Sequence, residues 1–203
     1  MENLTYVTGN YGKYIAVKEK LENNGIDINY FRYDLVEPDV NNVEFISKEK
    51  ARVAFSILNS PVFVMDSGFY IEDYPNNPGY PGAFVKRSGV SSNILDLLKV
   101  MKNVKNRNCY FKDCLTFFDG DSYYQFFGIM NGFLSYEIRG NENKRAMSNL
   151  WYVFIPEKCN KTLLEMTDSE RSNQLNARVS AIDEFIKWYN LNYRNAKTLK
   201  KVR

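Results

Sequence analysis

Histidine is absent from this sequence of 203 residues. A chain without histidine cannot build Ser-His or Cys-His catalytic pairs, His-ligated metal sites or imidazole acid–base catalysis. Any chemistry must therefore use carboxylates, Lys, Arg, hydroxyl groups and a metal ion.

Cysteine and long apolar runs are also scarce. Cys109, Cys114 and Cys159 form no CxxC motif and no even set, so we expect reduced thiols in a cytoplasmic protein. No apolar run approaches the ~20 residues of a membrane-spanning helix, so we expect no membrane association. The first residues lead directly into a strand pattern, and we expect no signal or transit peptide.

The net charge of +3 is concentrated at the C-terminus. Five basic residues and no acid follow Tyr193, and without them the chain carries about −2: Arg194, Lys197, Lys200, Lys201 and Arg203. This distribution does not favour a nucleic-acid-binding surface. We expect one domain over residues 1–193 and a basic tail over residues 194–203.

Hydrophobic periodicity predicts an α/β fold, a mixed central sheet flanked by helices. Predicted strands cover residues 4–7, 26–33, 62–66, 109–118, 122–130 and 151–156, and predicted helices cover 11–22, 43–58, 91–101 and 167–192. Asp66-Ser67-Gly68 is predicted to end the third strand, and Asn131-Gly132 to form a turn.

Thr8-Gly9-Asn10 joins the first strand to its helix, with Lys13 in the first helical turn. Backbone N–H groups at a helix N-terminus attract phosphate, and Lys13 adds a point charge. The pattern fits a phosphate-binding loop and fits equally well an ordinary strand–helix turn in which Asn10 caps the helix.

Glu37 and Asp66 follow or end neighbouring predicted strands and could meet at one sheet edge. With Lys13 and Lys50 nearby, two carboxylates could bind Mg²⁺ that carries a polyphosphate. Each residue also has a simpler interpretation. Glu37 could be a solvated loop acid, Asp66 a turn residue, and Lys50 a side chain that reaches the rim of a buried helix face.

Arg171 and Arg178 lie seven positions apart in a predicted helix, on one face about 10 Å apart. Such a pair could hold phosphates or clamp a base, although on spacing alone a solvated helix face is favoured.

Taken in order, these segments resemble the inosine triphosphate pyrophosphatase (Ham1) family over nearly the whole chain. The matching segments are Thr8-Gly9-Asn10 with Lys13, Asp34-Leu35 with Glu37, Glu44 to Ala54 with Lys50-Ala51, Asp66-Ser67-Gly68, Pro78 to Gly82 with Lys86, Arg139-Gly140, Lys161-Thr162, Glu165-Met166, Glu170-Arg171 and Arg178 with Ala181.

The resemblance implies two lobes around a central cleft, commonly a homodimer, and Mg²⁺-dependent hydrolysis of non-standard purine nucleoside triphosphates such as ITP, dITP and XTP. It implies that Asp66 is catalytic and that Glu37 and Asp66 hold the metal. Residues expected to bind substrate are Thr8, Gly9, Asn10, Lys13, Lys50, Ser67, Lys86, Trp151, Arg171 and Arg178.

The chain departs from the family in the half that reads the base. Asn149 to Val153 replaces the family's Phe-Gly-Tyr/Trp-Asp-Pro and keeps only the aromatic Trp151, while Ala177 stands in the position of its histidine. We therefore expect a weakened preference for 6-oxo purines. Two alternatives remain: a Maf-like pyrophosphatase with a different base preference, and a non-catalytic nucleotide- or RNA-binding module.

Overall fold

The computed structural model describes residues 4–142, 146, 148–176 and 179–194. Its strands are β1 (Leu4–Val7), β2 (Ile28–Phe31), β3 (Val62–Ile71), β4 (Pro81–Gly82), β5 (Asn108–Phe118), β6 (Tyr123–Leu134) and β7 (Phe154–Pro156). Its α-helices are α1 (Tyr11–Glu22), α2 (Val43–Leu58), α3 (Ile94–Val100), α4 (Asp168–Asn176) and α5 (Ala181–Trp188).

Across the described residues, one seven-stranded sheet has the order β2-β1-β3-β5-β6-β7, with β4 beside β3. β1 runs parallel to β2 and β3, whereas β4 pairs antiparallel with β3 and β7 with β6. The predicted mixed α/β sheet is therefore confirmed. None of the described helices is both long and apolar enough to cross a membrane.

The chain divides into two compact units. Unit 1 comprises Met1–Asp66, Asp113–Gly128 and Val179–Arg203, and unit 2 comprises Ser67–Lys112 and Ile129–Arg178. In unit 1, one apolar cluster includes Tyr6, Phe63 and Phe185, and a second includes Ala51 and Val64. Unit 2 has its own core, which includes Phe69, Trp151 and Phe154.

Two predicted turns are wrong, because glycine serves close packing at both places. β3 continues through Ser67-Gly68 to Ile71, and a Cβ at Gly68 would lie 3.0 Å from the carbonyl oxygen of Gly82 on β4. β6 likewise runs through Gly132, where a Cβ would lie 2.3 Å from the carbonyl oxygen of Ile155 on β7. Glycine inside a strand here marks a close approach of backbones.

The predicted helix over residues 167–192 is wrong as one element. It is divided into α4 and α5, and residues 177–178 lie outside the described part. Ser180 caps α5 by accepting the N–H of Asp183, whose carboxylate accepts the N–H of Ser180. This reciprocal cap begins a new helix and leaves Val179 exposed.

The predicted strand over residues 151–156 is also partly wrong. Asn149–Tyr152 forms a single 3₁₀ turn, so Trp151 precedes β7. The predictions for α1 and α2 are confirmed to the residue, with Asn10 and Asn42 as their N-caps.

Candidate active site

Asp66 lies on β3 at the end of the first segment of unit 1, beside a lysine from α2. The Nζ atom of Lys50 lies 2.7 Å from Oδ1 of Asp66 and 2.8 Å from Oε1 of Glu37. The Lys50 side chain is only 12% exposed. One ammonium group therefore joins the two carboxylates that the sequence analysis assigned to the metal.

Helix geometry explains why Lys50 points inward. It lies four residues after Ile46 and four before Ala54, both buried, so the three side chains share one face of α2. Asn42 fixes the start of the helix, because its side chain accepts the N–H of Phe45 at 2.7 Å. The Lys50 ammonium therefore lies at the two carboxylates and not in solvent at the edge of the buried face of α2.

The donor set at this point suits a hard cation. Oδ2 of Asp66 is buried and has no hydrogen-bond partner, while Oδ1 is bound by Lys50. Mg²⁺ is commonly held by one or two carboxylates, with phosphate and water oxygens completing its coordination. Glu37 and Asp66 fit that requirement. No larger group of Asp, Glu or Cys side chains suited to a metal occurs in the described part of the chain.

The loop before α1 is organised around its own polar side chains. Oγ1 of Thr8 accepts the N–H of Asn10 at 3.2 Å, and Oδ1 of Asn10 accepts the N–H of Lys13 at 3.0 Å. Gly9 lies against the carboxylate of Asp34, with no room for a Cβ beside it. These contacts fix the backbone at the helix N-terminus, where anions are favoured.

The remaining predicted substrate residues lie in unit 2 or outside the described residues. Ser67 lies on β3 and is partly exposed, Lys86 is exposed, and Trp151 is 8% exposed. Arg178 lies outside the described residues.

Arg171 is engaged within unit 2. Its guanidinium donates to the carbonyl oxygens of Leu163 at 2.7 Å and Met166 at 3.2 Å and pairs with Asp168. It also lies 5.5 Å from the ring centroid of Trp151. These contacts stabilise the segment before α4 and place the Arg171 guanidinium beside the Trp151 ring. A contact of either residue with substrate stays a prediction.

The motif residues around Arg139 and Glu165 meet in the structure. The Glu165 carboxylate accepts the N–H of Thr162 at 2.7 Å and pairs with Arg139 at 3.0 Å. Burial alone would raise the pKa of Glu165, but the Thr162 N–H and the Arg139 charge lower it on balance. The contacts of Glu165 with Thr162 and Arg139 thus stabilise a turn of unit 2.

Tyr6 and Tyr30 were missed by the sequence analysis. Both hydroxyl oxygens are buried without a hydrogen-bond partner, on the strands that lead to the Thr8 loop and to Glu37. The only available signal was a tyrosine among the apolar residues of a short predicted strand.

Comparison with known proteins gives consistent results. A model of the Ham1 family matches residues 4–188. The chain is 34% identical over 179 residues to a dITP/XTP pyrophosphatase of Saccharolobus solfataricus, a match that covers 88% of this chain and 89% of that protein. It is 30% identical over 190 residues to a dITP/XTP pyrophosphatase of Methanosarcina acetivorans, covering 93% and 98%.

Among solved structures, a HAM1 protein from Coxiella burnetii is similar with a TM-score of 0.77. That match covers 94% of this chain and 99% of the other at 16% identity. It shows a shared fold.

Proposed function

This chain belongs to the Ham1 family, and we propose that it hydrolyses nucleoside triphosphates to nucleoside monophosphate and pyrophosphate. The observation that carries this proposal is the Lys50 ammonium held between Glu37 and Asp66, with one Asp66 oxygen unpartnered. Two carboxylates and a lysine form a site for a cation with a polyphosphate.

Glu37 and Asp66 would hold Mg²⁺, which would neutralise charge that develops on the phosphate oxygens. Lys50, which pairs with both carboxylates, would bind a phosphate oxygen. The N-terminus of α1, with Thr8, Gly9, Asn10 and Lys13, would bind the triphosphate.

In the reaction, a water oxygen forms a bond to the α-phosphorus and the bond to the bridging oxygen breaks. Pyrophosphate leaves with the bonding electron pair. Asp66 accepts a hydrogen bond from the attacking water and takes its proton. Such chemistry relies on positioning and charge and needs no histidine.

The substrate class is a 6-oxo purine nucleotide, such as ITP, dITP or XTP. The names of the relatives from Saccharolobus solfataricus and Methanosarcina acetivorans support this class. We expect the preference over ATP to be reduced, because the base-reading half of this chain retains the aromatic Trp151 but lacks the family's Asp and, at Ala177, its His. We further propose a homodimer that works in the cytoplasm.

The experiment is a nucleotide panel assayed in parallel for pyrophosphate and orthophosphate, with and without Mg²⁺. Pyrophosphate release from ITP or XTP that stops when the metal is chelated is the expected result. Orthophosphate as the sole product, or no turnover of any nucleotide, would contradict the proposal. A clear preference for ATP or a pyrimidine triphosphate would support the proposed reaction but contradict the proposed substrate class. Light scattering tests the dimer.

A further inference from the structure

A network of buried hydrogen bonds connects helix α2 with strands β5 and β6. Ser47 on α2 and Thr116 on β5 are fully buried, and their hydroxyl oxygens lie 2.7 Å apart. The Ser47 hydroxyl also donates to the carbonyl oxygen of Cys114 on β5 at 3.2 Å. On the adjacent strand β6, the amide nitrogen of Gln125 donates to Oγ1 of Thr116 at 3.0 Å. All these residues belong to unit 1, which also contains Asp66.

The two ends of the network fix the direction of every bond in it. An amide nitrogen can only donate a hydrogen bond, and a backbone carbonyl oxygen can only accept one. Ser47 gives its hydrogen to the Cys114 carbonyl, so Thr116 must donate to Ser47 and accept from Gln125. Both hydroxyl hydrogens thus have an acceptor, and the four groups have one consistent arrangement.

Gln125 also binds the backbone of α2. Its amide nitrogen donates to the carbonyl oxygen of Glu44 at 2.9 Å, and Glu44 lies three residues before Ser47 in the same helix. Helix α2 is therefore bound to the sheet at two successive points along its axis, which restrains both its rotation and its position. Lys50 follows Ser47 by three residues and so lies on the same side of the helix.

Packing alone does not require these polar groups. Alanine and valine have nearly the shapes of serine and threonine, and replacement of both partners of a buried hydrogen bond by apolar groups of the same shape can leave stability almost unchanged. A fully satisfied polar network instead makes one arrangement of the packed elements rigid and unique. The arrangement fixed here is that of α2 on β5.

Strand β5 is the direct neighbour of β3, the strand that carries Asp66. A helix fixed on β5 is therefore also fixed relative to this carboxylate. The Lys50 ammonium lies 2.7 Å from Asp66 and 2.8 Å from Glu37. Both contacts are short, so a displacement of α2 by about 1 Å would break at least one of them.

We propose that Ser47, Thr116 and Gln125 are positioning residues for the reaction. Their hydrogen bonds set α2 on the sheet so that the Lys50 ammonium reaches both carboxylates of the active site. The kinetic consequence rests on the proposed function, because a small misplacement of a group that binds the reacting phosphate slows the reaction. The position of the ammonium does not depend on that function.

A triple variant, Ser47→Ala/Thr116→Val/Gln125→Leu, removes the network without leaving a hydroxyl unsatisfied. We expect its melting temperature to stay within about 4 °C of the parent. We expect kcat/KM for pyrophosphate release to fall roughly tenfold, as for loss of an outer contact that orients a catalytic group. Ser56→Ala is the matched control and should keep the kcat/KM of the parent, since Ser56 lies on α2 but donates within the helix, to the carbonyl oxygen of Val53 at 2.7 Å.

The Lys50→Met background separates positioning from a purely structural role. Without the ammonium the network has no group to position, so the triple substitution should lower kcat/KM of Lys50→Met at saturating Mg²⁺ by less than about twofold. A further fall of about tenfold in this background, or a triple variant with the kcat/KM of the parent, would overturn the proposal. Ser47→Ala alone breaks the side-chain contacts of α2 with β5 and replaces the triple variant in both comparisons if the latter does not fold.

Crystal structures of the parent and of Ser47→Ala test the positioning without any assay of activity. We expect the ammonium of Lys50 to lie on both carboxylates in the parent and beyond hydrogen-bond distance of at least one of them in the variant. An ammonium that keeps both contacts in the variant would overturn the proposal, whatever nucleotide the protein hydrolyses. A parent that hydrolyses no nucleotide, together with a displaced ammonium in the variant, would reject the proposed function alone.

Discussion

The ammonium of Lys50 binds one oxygen of Asp66 at 2.7 Å, while the other oxygen of the same carboxylate is buried without a partner. Both side chains are less than 15% exposed. A buried charged pair of this kind is costly to desolvate and is weak evidence for a purely stabilising role. We propose that the unpartnered oxygen of this carboxylate serves the metal or the attacking water.

Asp66→Asn should lower the rate of pyrophosphate release by about 100-fold or more, because an amide is neither a base nor an anionic ligand. The amide has the same shape as the carboxylate and its oxygen can still accept a hydrogen bond from Lys50, so the fold should remain. Steady-state kinetics together with circular dichroism melting measures both effects. Activity within a few-fold of the parent would assign the role to another residue.

Lys50→Met should make the protein depend on a divalent cation for stability. Without the ammonium, Glu37 and Asp66 face each other as like charges, and loss of one partner of a buried ion pair costs about 3–5 kcal/mol. Mg²⁺ should recover part of this loss and raise the melting temperature of the variant more than that of the parent. Thermal melts across a Mg²⁺ titration measure the difference.

Lys20→Met is the control for that experiment. It also removes a lysine from a carboxylate, since Lys20 pairs with Asp183 at 2.7 Å, but this pair lies between α1 and α5. An equal response of both variants to Mg²⁺ would show a general ionic effect and would remove the support for a metal between Glu37 and Asp66.

The stability of unit 2 should fall in acid through Glu170. A hydrogen bond from Lys161, with others from Thr167, lowers the pKa of Glu170 from 4.5 to about 2. A depressed carboxyl pKa contributes stability above the unfolded-state value, and this contribution is lost as pH falls through the folded-state value. The stability difference between the parent and Glu170→Gln should therefore shrink between about pH 5 and pH 2.

Urea unfolding at several pH values measures this difference. Lys161→Met removes the main hydrogen-bond donor to Glu170. The loss of stability on acidification should therefore be smaller in this variant than in the parent, as it should be in Glu170→Gln. If the stability difference between the parent and Glu170→Gln instead grows as the pH falls, the lowered pKa of Glu170 is contradicted.

Arg171→Lys should destabilise unit 2 by about 2–3 kcal/mol. A lysine cannot donate simultaneously to Leu163, Met166 and Asp168, because it lacks the planar fork of the guanidinium. Denaturant unfolding monitored by tryptophan fluorescence measures the loss. A more than tenfold rise in KM with unchanged stability would instead support the direct substrate contact predicted from the sequence.

Removal of residues 195–203 should leave nucleotide turnover unchanged. The deletion retains Arg194, whose guanidinium donates to the carbonyl oxygen of Gly25 at 3.0 Å. An enzyme of the proposed kind has no need of the basic tail, whereas a nucleic-acid-binding module would lose affinity and salt dependence without it. Binding assays with single-stranded RNA at two salt concentrations distinguish the two functions.

The sequence by itself determined the elements whose signals are local. Hydrophobic periodicity defined α1 and α2, Asn10 indicated the cap of α1, and the strand patterns indicated a mixed sheet, because periodicity and capping depend on neighbouring residues only. The order of the motifs was also sufficient to identify the Ham1 family.

Tertiary structure decided what several of those residues do. Gly68 and Gly132 indicated turns in sequence but allow close strand packing, and Arg171 looked like a surface cation but is buried against three groups of its own unit. Lys50 could have reached solvent, and only the positions of Glu37 and Asp66 gave its ammonium two partners. Such outcomes depend on residues distant in sequence, whose burial and charge no local pattern contains.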